Sequence, residues 1–273
     1  MIQIPDFTNK ADLFTWLKTN KSMLIAAKKS QMKKADAVSF LALSDNEIGI
    51  VTKAQARPEL LDLGEFPVKV VINTTNLYDS HQDVHIPGIW KKSLSEKKDN
   101  YHIQEHEMSF ENIISDRVKA FTKVFTFAEL GYSLPGTTEA LIFDSIIEIE
   151  RNEYMAEQYA KGRVKNHSVG MQYVKLELCI NSDSRYDAEE KAAWDKYIEQ
   201  VANKQTVEDA GYFWAVTEAK LIEGSAVVIG SNFATPTIQI GKQTALENSR
   251  ESTEGEPQIN ISEIVKHIKQ IKL

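Results

Sequence analysis

A single carboxylate, Glu223, interrupts the apolar run Leu221-Ile222-Glu223-Gly224-Ser225-Ala226-Val227-Val228, a run that reads as a strand. A charge placed there either faces water from a sheet edge or carries a partner inside the fold, because an unpaired buried carboxylate is strongly disfavoured. His106, in Gln104-Glu105-His106 ahead of the strand-like segment Arg117 to Phe127, is the partner at hand. A third segment, Asn166-His167-Ser168-Val169-Gly170-Met171, sets a small nucleophile beside a glycine at the head of another strand-like run. Serines in that position also bond nearby backbone with no chemical role.

Together the three segments supply the parts of an acyl-transfer site. A serine hydroxyl is a poor nucleophile at neutral pH, so it needs an imidazole to take its proton and a third group to fix the imidazole tautomer. Ser168, His106 and Glu223 fit those roles; the alternatives are a loop histidine and a solvated carboxylate. His167, adjacent to Ser168 in a strand, points to the opposite face and is not that serine's base. The spacings His81-x-x-x-His85 and His102-x-x-x-His106 invite a zinc reading, since two imidazoles four apart share a helix face. The first pair lies among loop formers closed by Pro87-Gly88. In an extended strand such a pair is about 13 Å apart, too far for one ion. No metal or cofactor is therefore expected, and Asp79 and Asp83 are read as shaping the turn or positioning the chain that enters the next helix.

The order of these segments resembles the prohead maturation proteases of tailed phages, distant relatives of the herpesvirus assemblins. The likeness covers residues 66–240. It begins at Val68-Lys69-Val70-Val71-Ile72-Asn73 and runs through Asp79 to Trp90, similar to the family's two aspartates, Pro-Gly and aromatic. Ser168-Val169-Gly170-Met171 looks like its Ser-Ile-Gly-Phe strand, and Leu221-Ile222-Glu223-Gly224-Ser225 like its Leu-x-Glu-Val-Ser strand. The chain departs from the pattern with Gly224 for valine, with Gly230-Ser231-Asn232 for Pro-Ala-Asn, and with no arginine between Arg185 and Arg250. The oxyanion donor is accordingly assigned to the backbone N–H of Ser231 or a neighbour. The resemblance implies an α+β fold, a mostly antiparallel β-barrel wrapped by helices, and a Ser-His-Glu endopeptidase. It also implies partners: scaffolding or major capsid protein inside an assembling prohead in the host cytoplasm, with self-cleavage and self-association. An inactive scaffolding protein on the same fold is the competing expectation.

Composition is compatible with this. At 273 residues, 42% hydrophobic and 26% charged, the chain can bury one sizeable core with appendages. The single cysteine, Cys179, excludes an internal disulfide and fits a reducing compartment. No run approaches the roughly 18 apolar residues of a membrane span, and no signal-peptide pattern opens the chain, so a soluble intracellular protein is expected. The net charge of -7 argues against non-specific nucleic-acid binding.

Four regions follow. Residues 1–65 form a lead-in whose helix, capped by Asn9, carries Leu13, Trp16, Leu17, Leu24 and Ile25; the lysine-rich 28–34 after it is read as a solvated or detachable arm. Within 66–240, alternation predicts strands at 68–73, 118–127 and 213–216. Thr137 or Thr138 is expected to cap a helix through Ile142, Phe143, Ile146, Ile147, Met155 and Tyr159, ending near Gly162. Asp187 starts another, with Trp194, Tyr197, Ile198 and Val201 on one face, inserted between the serine and glutamate strands. Residues 241–258 read as a polar linker, and 259–273 as an amphipathic helix with Ile261, Ile264, Val265, Ile268 and Ile271 as its stripe. That helix is too short to stand alone and docks on the core or on a partner. The lysine-rich arm and the linker through Pro257 are the expected self-cleavage sites.

Overall fold

The pairing of the two strands that carry Ser168 and Glu223 is the longest among the described residues, and the rest of the fold is arranged around it. In this computed structural model residues 4–31 and 54–242 are described. The elements in order are α1 (Lys10–Thr19), α2 (Lys21–Ser30), β1 (Glu65–Thr74), β2 (Asp83–His85), α3 (Lys91–Glu96), β3 (His102–Gln104), β4 (Ile113–Ser115) and β5 (Val118–Thr126). There follow β6 (Thr137–Glu148), α4 (Glu153–Ala160), β7 (Asn166–Ile180), α5 (Ala188–Tyr197), α6 (Lys204–Ala210), β8 (Tyr212–Val227) and β9 (Thr237–Ile240). The described residues up to Gly241 make one compact unit, and the expected helix at 259–273 lies outside the described residues, as does nearly all of the linker.

The fold is α+β. One sheet, β5-β6-β1-β9, is antiparallel throughout; in the other, β8 pairs antiparallel with β7 along its length and parallel with β2 and β3, and β4 flanks β3. Val68, Val70 and Ile72 of β1, Phe143 of β6, Val169 and Met171 of β7 and Trp214 of β8 meet in a shared core that also takes Tyr159 of α4. On the distal half of the hairpin, Trp194, Tyr197 and Val207 from α5 and α6 cover Phe213 and Ala215. The inserted helix is thus present where Asp187 predicts it, with Asp187 at its N-cap.

Three expectations are corrected. The strands do not close into a barrel among the described residues. Where the approach to β9 meets β7, side chains replace a ladder: the Thr235 hydroxyl donates to the His167 carbonyl at 2.6 Å and accepts from the His167 N–H at 3.2 Å. Residues 137–148 are a strand, not the first half of a helix; the Thr-Thr start and the β-branched Ile142, Ile146 and Ile147 favour it, and Asn152, not Thr137 or Thr138, caps the helix that follows. The N-terminal helix breaks at Asn20 into two, and neither is a loose arm. Phe14, Leu17 and Leu24 enter the core, and Lys28 Nζ lies 2.5 Å from Asp83 Oδ1, a fully buried carboxylate that needs a counter-charge. Residues 32–34 of the lysine-rich stretch lie outside the described residues.

What matters for the site is the row β3-β8-β7. Directly opposed residues in a ladder share a face. Ser168 opposes Ser225 and Gly170 opposes Glu223 on the front. On the rear, Gly224 lies between His102 on one side and Val169 on the other, and His167 opposes Ala226. Behind Gly224 runs a buried polar chain. Thr235 offers only a carbonyl to His167 Nδ1 at 3.0 Å, so that nitrogen carries the proton and His167 Nε2 accepts from the Tyr159 hydroxyl at 2.9 Å. Tyr159 in turn accepts from His102 Nε2 at 2.9 Å, and His102 Nδ1 accepts from Ser145 Oγ at 3.1 Å.

Two predictions follow from this packing. A Cβ on Gly224 would stand 2.5 Å from the Phe143 ring and 2.9 Å from Ile72 Cδ1, so the space that a valine needs is already filled. Gly224→Val is expected to lower stability by about 2 kcal/mol or more, with partial recovery when Phe143→Leu is added, read by denaturant unfolding. Burial, reinforced by the neighbouring His167, holds His102 well below the usual histidine range, and burial pushes His167 down to about 4 against the support of the Thr235 carbonyl. The unfolded chain takes up these protons near pH 6.5 and the folded chain only at lower pH. Stability is therefore level above pH 6.5 and lost on acidification towards pH 4, by about 3 kcal/mol from His167 alone. A Tm that stays constant from pH 7 to pH 4.5 would contradict this.

Candidate active site

Glu223 is placed by a bulge. The register passes from Gly170↔Glu223 to Met171↔Leu221, leaving Ile222 as the extra residue. The carbonyls of Leu221 and Ile222 both accept from Lys97 Nζ, the first at 3.3 Å. Burial lowers the Lys97 ammonium below the usual lysine value, while the Glu223 charge works to hold it up. Opposite the bulge, Gly170 supplies the room: a Cβ there would lie 1.9 Å from Glu223 Oε1 and 2.6 Å from its carboxyl carbon. The carboxylate occupies the space that any other residue at 170 would fill.

The buried carboxylate has donors on both oxygens. His106 Nδ1 donates to Oε1 at 2.6 Å, and the Ser225 hydroxyl donates to Oε2 at 2.7 Å. Ser225 Oγ also accepts from the His106 backbone N–H at 3.1 Å, so one serine fixes both ends of the histidine's partner set. Glu223 and Ser225 have no exposed surface, and His106 is 4% exposed. The histidine reaches this position through an unusual turn. Glu105 and His106 have φ of 52° and 59°, two consecutive non-glycine residues in the left-handed region, with the Glu105 N–H bonded to the Ala226 carbonyl at 2.9 Å. Such strain costs about 1–3 kcal/mol per residue and persists only where the surroundings impose it.

Of the residues singled out in the sequence, His106 and Glu223 are thus in direct contact. Ser168 is on the same face, directly across the ladder from Ser225 and 5% exposed, but no hydrogen bond joins it to His106. Catalytic hydrogen bonds are often unmade in an unliganded enzyme. Ser231 and Ser168 line a common cavity of about 10 Å³, room for one water. The loop is brought there by Gly230, where a Cβ would stand 2.8 Å from the His167 carbonyl, and is anchored by Asn232, whose amide bonds Thr74 in both directions at 2.9 Å. His167 faces away from Ser168, into the rear polar chain.

Sequence reasoning missed Ser225 as a partner of Glu223, although it lies within the quoted motif; its position two residues along one strand was the available signal. It also missed a second buried chain at the same cavity. Asn73 Nδ2 donates to His85 Nδ1 at 2.8 Å, His85 Nε2 to the Tyr173 oxygen at 3.2 Å, and Tyr173 to Asp83 Oδ2 at 2.7 Å. Asp79 shapes the turn as expected, its Oδ1 accepting from the N–H groups of His81 and Asp83 at 2.8 and 3.0 Å. Among the described residues no group of three histidine, cysteine or carboxylate side chains is arranged to hold a metal ion, and no helix is long and apolar enough to cross a membrane.

Gly170→Ala is expected to expel Glu223 from its bond to His106. The far-downfield Nδ1 proton resonance of a short, buried imidazole–carboxylate bond should be present in the wild type and absent in the variant. Retention of that resonance in Gly170→Ala would show that the carboxylate does not depend on the missing side chain. Compared with known proteins, the chain matches no family model, no curated protein and no solved structure.

Proposed function

We propose that this chain is a serine endopeptidase of the Ser-His-Glu type, with Ser168 as nucleophile, His106 as general base and Glu223 as the orienting carboxylate. The observation that carries the reading is the buried 2.6 Å contact between His106 and Glu223 on the face where Ser168 stands. With Nδ1 donating to Glu223, Nε2 is the ring nitrogen to which this reading assigns the role of base. As Ser168 Oγ attacks the scissile carbonyl, His106 Nε2 takes its proton, and the carbonyl oxygen gains a negative charge to which, on this reading, the Ser231 N–H donates a hydrogen bond. Collapse of the tetrahedral adduct breaks the C–N bond, and His106 returns the proton to the leaving amine. A water then gives its proton to His106 and attacks the acyl-enzyme, releasing the acid and restoring Ser168. The protein's own groups suffice for each proton transfer, so the mechanism uses no cofactor.

The biological setting comes from the resemblance to tailed-phage prohead proteases. On that reading the chain acts in the host cytoplasm inside an assembling prohead, on scaffolding or major capsid protein and on itself, after self-association. One observation favours a second reading, a scaffolding protein without turnover: the unmade hydrogen bond between Ser168 and His106.

Intact mass followed over time separates the two. At concentrations that permit self-association, wild type is expected to yield fragments and Ser168→Ala none, with cuts between the described core and the ends. Docking of Lys28 against buried Asp83 shifts the expected N-terminal cut beyond Gln31. Intact chains in both samples, together with no labelling of Ser168 by a fluorophosphonate, would favour the scaffolding reading.

A further inference from the structure

Ser168 and His106 belong to strands that do not pair with each other. β7 and β3 occupy opposite edges of β8, so about two strand spacings, roughly 10 Å, separate their backbones. On the front face Glu223 and Ser225 grip the histidine, but they do not tie β3 to β7. Each strand is held to β8 by its own ladder, and a direct side-chain tie between them lies on the rear. His102, four residues before His106, and His167, next to Ser168, are bridged by one Tyr159 hydroxyl at 2.9 Å from each. On β8 the residues opposite these histidines are small, Gly224 across from His102 and Ala226 across from His167.

We propose that Tyr159, with His102 and His167, is a positioning device for the candidate site: the rear clamp sets the separation of β3 and β7 and thereby the placement of His106 against Ser168 on the front. Its meaning for turnover rests on the serine endopeptidase reading; its geometric claim does not. The clamp suits this task because each link has one donor and one acceptor. From Ser145 through His102, Tyr159 and His167 to the Thr235 carbonyl, every proton is assigned, so the chain resists sliding in a way that apolar contacts do not. All five residues are fully buried, where apolar side chains of the same size would stabilise the fold at least as well. His106 follows the end of β3 by two residues, so a shift of β3 against β8 strains the turn whose Glu105 and His106 N–H groups are held by β8.

Tyr159→Phe removes one oxygen and keeps the ring. Two measurements are made on the full chain: the Nδ1 proton resonance of His106, and the rate at which a fluorophosphonate labels Ser168. The expected result is a Tm within a few degrees of wild type, a shifted or broadened His106 resonance, and labelling slowed by about tenfold or more. As single variants with Tyr159 intact, His167→Gln, whose side-chain oxygen can accept from Tyr159, is expected to keep most of both signals, whereas His167→Leu is not. An unchanged resonance and an unchanged labelling rate in Tyr159→Phe, with only a lower Tm, would overturn the proposal and leave the clamp a packing feature. A resonance that responds in a protein whose Ser168 is never labelled would support the clamp and count against the endopeptidase reading instead.

Discussion

The structure turns on one buried charge. A carboxylate with no exposed surface is tolerated only if its oxygens are met by donors, and removing a partner from such a site costs several kcal/mol. Much of the local geometry around Glu223 answers that demand. The bulge at Ile222 aims the side chain, Gly170 clears the space for it, Ser225 and His106 take one oxygen each, and Lys97 satisfies the carbonyls that the bulge exposes. The strained turn at Glu105 and His106 is a consequence: the chain must reverse immediately after β3 to return an imidazole to a carboxylate on the neighbouring strand.

The same three strands carry a second polar system on their other face, and the two share a logic of omitted side chains. Gly170 makes room for Glu223 on the front, Gly224 for Phe143 and Ile72 on the rear, and Gly230 for the loop that brings Ser231 beside Ser168. None of the three has a positive φ, so the reason for glycine at each is close approach and not backbone freedom. Glycine at 224, where the resembled pattern has valine, is explained by the volume that Phe143 and Ile72 already fill.

Legibility in the sequence followed the range of the interaction. The strands at 68–73, 118–127 and 213–216, the helix after Asp187 and the Asn9 cap were readable because period and capping are local. The contact between His106 and Glu223 was readable because a lone charge in an apolar run implies a partner. The segment from Thr137 to Tyr159 misled because Ile142, Phe143, Ile146 and Ile147 also fit a helical spacing, and only pairing with β1 and β5 decides for strand. Lys28 read as solvated because nothing local discloses the buried Asp83 it meets. The rear clamp was invisible, since its members come from five separate segments and only the fold brings them together.

The unmade bond between Ser168 and His106 must be weighed against what surrounds it. Turning a serine hydroxyl between staggered rotamers is cheap beside the burial of a carboxylate and the strain of two left-handed residues. A protein that needed only a scaffold would be as stable, or more so, with apolar residues in place of His106 and Glu223, and Gly170 would then be free to carry a side chain. The cost is concentrated in the histidine, the carboxylate and the glycine that makes room for it. That distribution fits the proposed endopeptidase reading, in which the base is organised in advance and the nucleophile engages on substrate binding.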